Sequence, residues 1–261
     1  MKLVAARALH RERFAKLVAR DSIPLDRACQ WIAAEERPTP WPNRPVDSLD
    51  RIAAELHIPE GSSPFDAVAR LNLHLFDNHG FCGDAEDYYA PRNSCLDQVM
   101  HRRSGQPILL SVVYMEVARR CGVRVHGVGF PGHFLVMPQV DGEPFFVDPF
   151  QRGRIYRTDQ LRQRLVPMLD APADADAMLR YTAPVSNRAI VTRICANLKR
   201  AWLRRGDLEG ALRASERLLL LHPERAQEHH DRAVLLSRLG RHLQAEQALS
   251  AYLAGVESIE C

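Results

Sequence analysis

Lysine is almost missing from this 261-residue chain, where 3 of 35 basic residues are Lys and the rest Arg. No basic run is interleaved with aromatics, so the arginine excess reads as codon composition and a nucleic-acid footprint is excluded. Cysteine is sparse and scattered, at positions 29, 82, 95, 121, 195 and 261, with no CxxC pair and no His at ligand spacing beside it. That argues against a disulfide framework and a cysteine-based zinc site, and it fits reduced thiols in a bacterial cytoplasm. No apolar run approaches the length of a membrane span, and the opening MKLVAARALHRERF is too short and too charged for a signal peptide. The expectation is a cytoplasmic protein with no membrane or nucleic-acid partner, no cofactor and no bound metal.

What is present is a core. Hydrophobic residues make up 46% of the chain, enough for one large domain or two modest ones. Residues 1–80 read as a helical N-terminal region. It holds RERFAKLVAR, a helix started by Ser22 ahead of Pro24, an extended four-proline stretch at 37–45, and two further helices, the second ended by Gly80. Residues 107–121, PILLSVVYMEVARRC, are apolar nearly all round, which marks a helix buried inside a domain, with Pro107 in its first turn and Gly122 at its end. Glu116 within it needs a partner, for which Arg102 or Arg103 are the candidates. The run GVGFPG at 127–132 satisfies GxGxxG but leads strand into strand, so it is not a dinucleotide site. Residues 170–185 read as a linker. Beyond it, Gly206 and Ala211 recur as Gly240 and Ala245 at a spacing of 34, the period of a tetratricopeptide helical hairpin. Residues 186–255 are therefore two such hairpins, with 12 basic and 7 acidic side chains, an excess that favours an acidic partner. Two units are few for a free solenoid, so they are expected to pack on the main domain.

The stretch GFPGHFLVMPQVDGEPFFVDPF carries the chemistry. Asp141-Gly142 between two apolar runs predicts a two-residue type I′ hairpin. Counting outward, Leu135 then faces Asp148, and His133 becomes the diagonal neighbour of that aspartate on the same face. Pro138 and Pro144 cannot donate to a ladder, which predicts that part of the hairpin is an edge. Two readings stand side by side. Either His133 and Asp148 are a working dyad, or they cap a strand and start an Asp-Pro turn.

The order of central helix, strand, His133 and Asp148 resembles the papain-like, transglutaminase-like core. The segment from 87 to 153, with DYYAPRNSCLDQVMHRRSGQPILLSVVYMEVARRCGV and FFVDPFQRGR, resembles the SirB1 family, and the likeness extends over roughly residues 10 to 255. It implies an α+β protein with a transglutaminase-like core over 81–169, between the helical N-terminal region and an α-helical tetratricopeptide segment. It also implies a Cys-His-Asp site whose nucleophilic Cys opens the buried helix. Here that position reads Gly105-Gln106-Pro107-Ile108, so His133 and Asp148 match the dyad and the Cys does not appear.

Cys95, Cys121 and Cys82 are poor substitutes by their places in the sequence. Ser111, one turn into the helix, is in principle reachable by His133, or else bonds back to the helix backbone. Tyr88, Tyr89, Arg92 and Asn93 either line a pocket beside the dyad or staple the loop to the domain. The resulting expectation is a non-catalytic binding or regulatory module that takes a protein or peptide through its groove and its repeats. Two other classes stand against it: an amide or ester hydrolase or acyl-transfer enzyme with an atypical nucleophile, and a scaffold whose only function lies in the repeats.

Overall fold

Helical periodicity governs both ends of the chain, and short alternating runs lie between them. A computed structural model describes residues 2–39, 42–166 and 180–260. Four helices come first: α1 (Lys2–Val18), α2 (Leu25–Glu36), α3 (Arg44–Ala54) and α4 (Pro64–Asn72). Ser63 caps α4 by accepting the Asp66 amide at 3.1 Å. α4 then runs on into a π-helical turn, Leu73–Asn78, and Gly80 ends it at φ +71°. Two expectations are corrected here. Pro24, not Ser22, is the N-cap of α2. Arg44 and Pro45 belong to α3 and not to an extended stretch, since proline at a first turn sacrifices no hydrogen bond; residues 40 and 41 lie outside the described residues.

Strand β1 (Cys82–Gly83) pairs in parallel with β2 (Ser104–Gly105) around a 3₁₀ turn, Pro91–Ser94, and helix α5 (Leu96–Arg102). Helix α6 (Pro107–Arg120) is the buried axis of the fold, with every residue from Pro107 to Ala118 buried. Gly122 follows at φ +77°, as the sequence predicts.

An antiparallel sheet of order β3 (Val125–Val128), β4 (Leu135–Pro138), β5 (Phe145–Asp148) and β6 (Arg154–Arg157) packs on α6, and α7 (Thr158–Leu165) follows it. The β4–β5 register pairs Val136 with Val147, the predicted register. The turn is not the predicted one, because neither Asp141 nor Gly142 has positive φ. Pro138 and Pro144 bracket the loop, and with no N–H to donate they stop the ladder there. Nor is the hairpin an edge: both of its strands are interior, and the prolines are tolerated because they lie at strand ends.

Most of the expected linker falls outside the described residues. Its end does not: the Val185 amide donates to the Gly127 carbonyl at 2.9 Å and Pro184 bridges Val128. Four helices follow: α8 (Asn187–Arg204), α9 (Leu208–Leu221), α10 (Ala226–Arg238) and α11 (His242–Glu260). Gly206 and Gly240 make the equivalent inter-helix turns at φ +72° and +73°. α8 and α9 pack on the rest of the chain, since Ile190, Ile194, Leu198 and Leu218 join the core cluster that holds Leu109, Val113 and Phe14.

Candidate functional site

Asp148 closes β5 and caps the 3₁₀ turn Pro149–Gln151. Its Oδ1 accepts the Phe150 and Gln151 amides at 3.0 and 3.2 Å. That leaves Oδ2 for His133, whose Nε2 lies 2.7 Å away. The carboxylate is fully buried and the imidazole 20% exposed. The backbone of His133 is held at both ends: its amide donates to the Phe130 carbonyl at 3.0 Å, and its carbonyl accepts from Arg193 at 2.8 Å. With Nε2 facing the carboxylate, the neutral ring donates there and keeps Nδ1 as a free acceptor. An imidazole oriented this way can take a proton from a nucleophile or hold a ligand's donor group.

An aromatic row runs from the dyad to the surface. Phe150 meets His133 edge to face at 5.8 Å between centroids, Tyr88 meets Phe150 at 5.8 Å, and Tyr89 meets Tyr88 at 5.0 Å. Gly83 lets β1 lie under Phe150, because a Cβ there would fall 2.6 Å from the ring. Burial pushes the Tyr88 phenol above its ordinary value. Helix α8 supplies a basic wall on the other side. Arg193, Asn197, Arg200 and Arg204 recur at helical spacing on one face. Arg193 stacks over Phe134 at 5.5 Å, Arg204 lies 4.1 Å from the Tyr89 ring, and Arg193 and Arg200 both act electrostatically on Tyr88.

The N-terminus of α6 carries no thiol. Its N-cap is Gln106, whose Oε1 accepts from Ser94 at 3.1 Å and Asn197 at 3.2 Å while its Nε2 donates to the Tyr88 carbonyl at 2.9 Å. Pro107 follows. Ser111 is fully buried and its hydroxyl donates to the Phe134 carbonyl just ahead of β4 at 3.5 Å, not back along its own helix.

Cys95 is buried, its thiol pushed up by burial and then by Glu36 and Asp97, so its surroundings are α2 and α5 and not the dyad. Cys121 lies against the carbonyls of Ala53 and Leu56. Cys82 is half-buried in β1. Among the described residues no thiol or hydroxyl hydrogen-bonds the imidazole.

Of the loop residues, Asn93 staples: fully buried, it donates to the Asp87 carbonyl at 2.8 Å and accepts from Arg102 at 2.9 Å. Arg92 pairs with Asp87 at 3.1 Å, and Tyr88 alone touches the dyad's aromatic neighbour. The partners expected for Glu116 are wrong. Arg119 and Arg120 hold it, at 2.8 and 2.6 Å, while Arg102 is taken by Asp84. Helix spacing of three and four residues was the signal for that pairing. Phe150, Gln106 and Arg193 were missed: Phe150 follows the Asp-Pro pair directly, but nothing in the sequence brings Arg193 to His133. Cavities of about 510 and 540 Å³ lie elsewhere, and neither is lined by the dyad.

Residues 44–196 match the family described as the transglutaminase-like superfamily, and residues 198–258 match a tetratricopeptide repeat. A UPF0162 protein of Xylella fastidiosa is 38% identical over 187 residues, which are 71% of this chain and 66% of that protein. The match thus spans just under two thirds of that relative's length. A UPF0162 protein of Pseudomonas aeruginosa is 32% identical over 225 residues, 85% of this chain and 81% of its own. F-box only protein 21 of Mus musculus is 44% identical over 66 residues, 25% of this chain and 10% of that one. Among the described residues no helix is long and apolar enough to cross a membrane. With its central helix, antiparallel sheet and paired His133 and Asp148 followed by helical hairpins, the chain belongs to the transglutaminase-like superfamily, has UPF0162 proteins as relatives, and carries a tetratricopeptide segment after its core.

Proposed function

We propose that this chain is a non-catalytic, transglutaminase-like module of the SirB1 type that binds an acidic peptide segment of a protein partner in the bacterial cytoplasm. The observation that carries the reading is position 107. A proline opens the buried helix where the resemblance expects the nucleophile, and Asp148 is the imidazole's hydrogen-bond partner. Acyl transfer by this route needs a thiolate in contact with the base, and proline supplies neither thiol nor amide N–H. What remains would serve as a polar binding surface, with the imidazole and Tyr88 on one side and the Arg193, Arg200 and Arg204 face of α8 on the other. Guanidinium groups beside aromatic rings favour carboxylate-bearing ligands. Because α8 runs from the transglutaminase-like match into the tetratricopeptide match, this surface and the repeats would act on one partner.

The test is a fluorescence-anisotropy titration of labelled acidic and neutral peptides, beside assays of amide and ester turnover. The acidic peptides are expected to bind, and Arg200→Glu with Arg204→Glu to weaken them about tenfold or more, with no turnover in any sample. Turnover that disappears in His133→Ala would reject the reading in favour of the hydrolase or acyl-transfer class. Rapid alkylation of Cys29, Cys95 or Cys195 at neutral pH would point the same way, because burial pushes all three thiols up, Cys195 to about 12.

A further inference from the structure

Glu55 is the C-cap of α3, and the π turn after α4 passes beside it. Together they assemble a cluster that no spacing in the sequence announces. Glu55, His74 and His79 each present one ligand atom, and all three atoms lie within 4.8 Å of one another. The π turn is the cause. The His79 amide donates to the His74 carbonyl, five residues back, so two side chains that an α-helix would set apart face the same way. Their rings meet edge to face with centroids 4.5 Å apart.

Second, independent of this proximity, the His74 tautomer is fixed. His74 is buried, and its Nε2 lies 2.7 Å from the Ile52 carbonyl. A carbonyl only accepts, so Nε2 carries the hydrogen and Nδ1 carries the lone pair. An imidazole anchored through one nitrogen to a backbone carbonyl, with the lone pair on its other nitrogen, is the arrangement of a metal-bound histidine. On the open side, His79 Nε2 and Glu55 Oε2 are 3.0 Å apart, with side chains 16% and 59% exposed, so an ion has a path in from solvent.

We propose that Glu55, His74 and His79 bind one divalent transition-metal ion of the zinc class. Two imidazole nitrogens and one carboxylate oxygen suit Zn²⁺, Co²⁺, Ni²⁺ or Cu²⁺, whereas Mg²⁺ and Ca²⁺ take oxygen ligands throughout. Donors at roughly 2.0–2.2 Å around a tetrahedral ion are about 3.3–3.6 Å apart. The Glu55–His79 pair is already near that spacing, and the exposed glutamate can swing to complete it. Three protein ligands leave the fourth position to water or a small anion. Arg103 acts electrostatically on both His79 and Glu55, which holds the affinity below that of a closed structural site and favours an anion in the fourth position.

The experiment is a titration of the untagged, chelator-treated full chain with Co²⁺, followed by its visible absorption, and with Zn²⁺ by calorimetry. His79→Ala and Glu55→Gln are run in parallel. One equivalent is expected to bind with a tetrahedral cobalt spectrum, and each variant to lose about tenfold or more in affinity while its metal-free unfolding midpoint stays close to the parent's. Glu55 is exposed, so Glu55→Gln keeps the test readable should His79→Ala fail to fold. No saturable binding overturns the proposal. Binding of equal affinity in the parent and both variants also overturns it, since the ion then sits on other histidines or on cysteines.

Discussion

Asp148 divides its two carboxylate oxygens between the chain and the site, one capping the turn at Phe150 and Gln151 and the other holding His133. A fully buried acceptor of three donors cannot be removed cheaply. Asp148→Ala leaves two amides and an imidazole unsatisfied and is expected to cost about 1–3 kcal/mol, read as a lower midpoint in urea. Asp148→Asn keeps an acceptor for the amides and is expected to cost less; equal losses in both variants would place the stabilisation in the charge and not in the cap. The pairing of His133 with Asp148 was legible because a strand's two-residue period fixes which positions face each other once the centre of the hairpin is known. The turn type was not legible, since Pro138 and Pro144 ended the ladder before a tight turn could form. Arg193 was invisible for a different reason: it comes from a helix sixty positions away, and only tertiary packing brings it to the His133 carbonyl.

Among the elements, α6 and the four C-terminal helices follow directly from apolar periodicity, from Gly122, and from the recurrence of Gly206 at Gly240. These last two glycines have positive φ and open space around the missing Cβ. Their role is backbone conformation and nothing else. Gly206→Ala and Gly240→Ala are each expected to destabilise the chain by roughly 1 kcal/mol, and the double variant by about the sum, measured by thermal or urea unfolding. Neutral behaviour in either variant would mean that the turn relaxes into another conformation. Gly83 is the opposite case, with φ outside the left-handed region but the Phe150 ring where its Cβ would lie. The π turn had no sequence signature, because LNLHLFDN carries an ordinary helical pattern. The extra residue shows only in the bond from the His79 amide to the His74 carbonyl, five residues back.

Across the whole molecule, the tetratricopeptide segment is fastened to the N-terminal helices by a buried ion network. Arg217 of α9 is fully buried and bonds both Glu35, at 3.0 Å, and Glu36 of α2. Arg213 bonds Glu36 at 2.9 Å, and Arg11 bonds Glu35. Nothing in the sequence indicates that positions some 180 apart meet. Breaking such a network by removing one partner strands a buried charge, so Arg217→Met is expected to cost about 3–5 kcal/mol in urea unfolding at neutral pH. The pH dependence follows from Glu36. Burial alone would raise its carboxyl, yet the Arg217 and Arg213 guanidiniums outweigh that and hold it below the ordinary value. A depressed carboxylate contributes stability that is fully present above the unfolded value, about 4.3, and is lost as the pH falls through the lower folded value. Without Arg217 the burial effect gains weight, Glu36 titrates higher, and this part of the acid loss shrinks. Unfolding free energies from pH 7 down to pH 3 should therefore converge between parent and Arg217→Met on the acid side. Parallel curves would mean that Arg213 alone suffices to keep Glu36 charged.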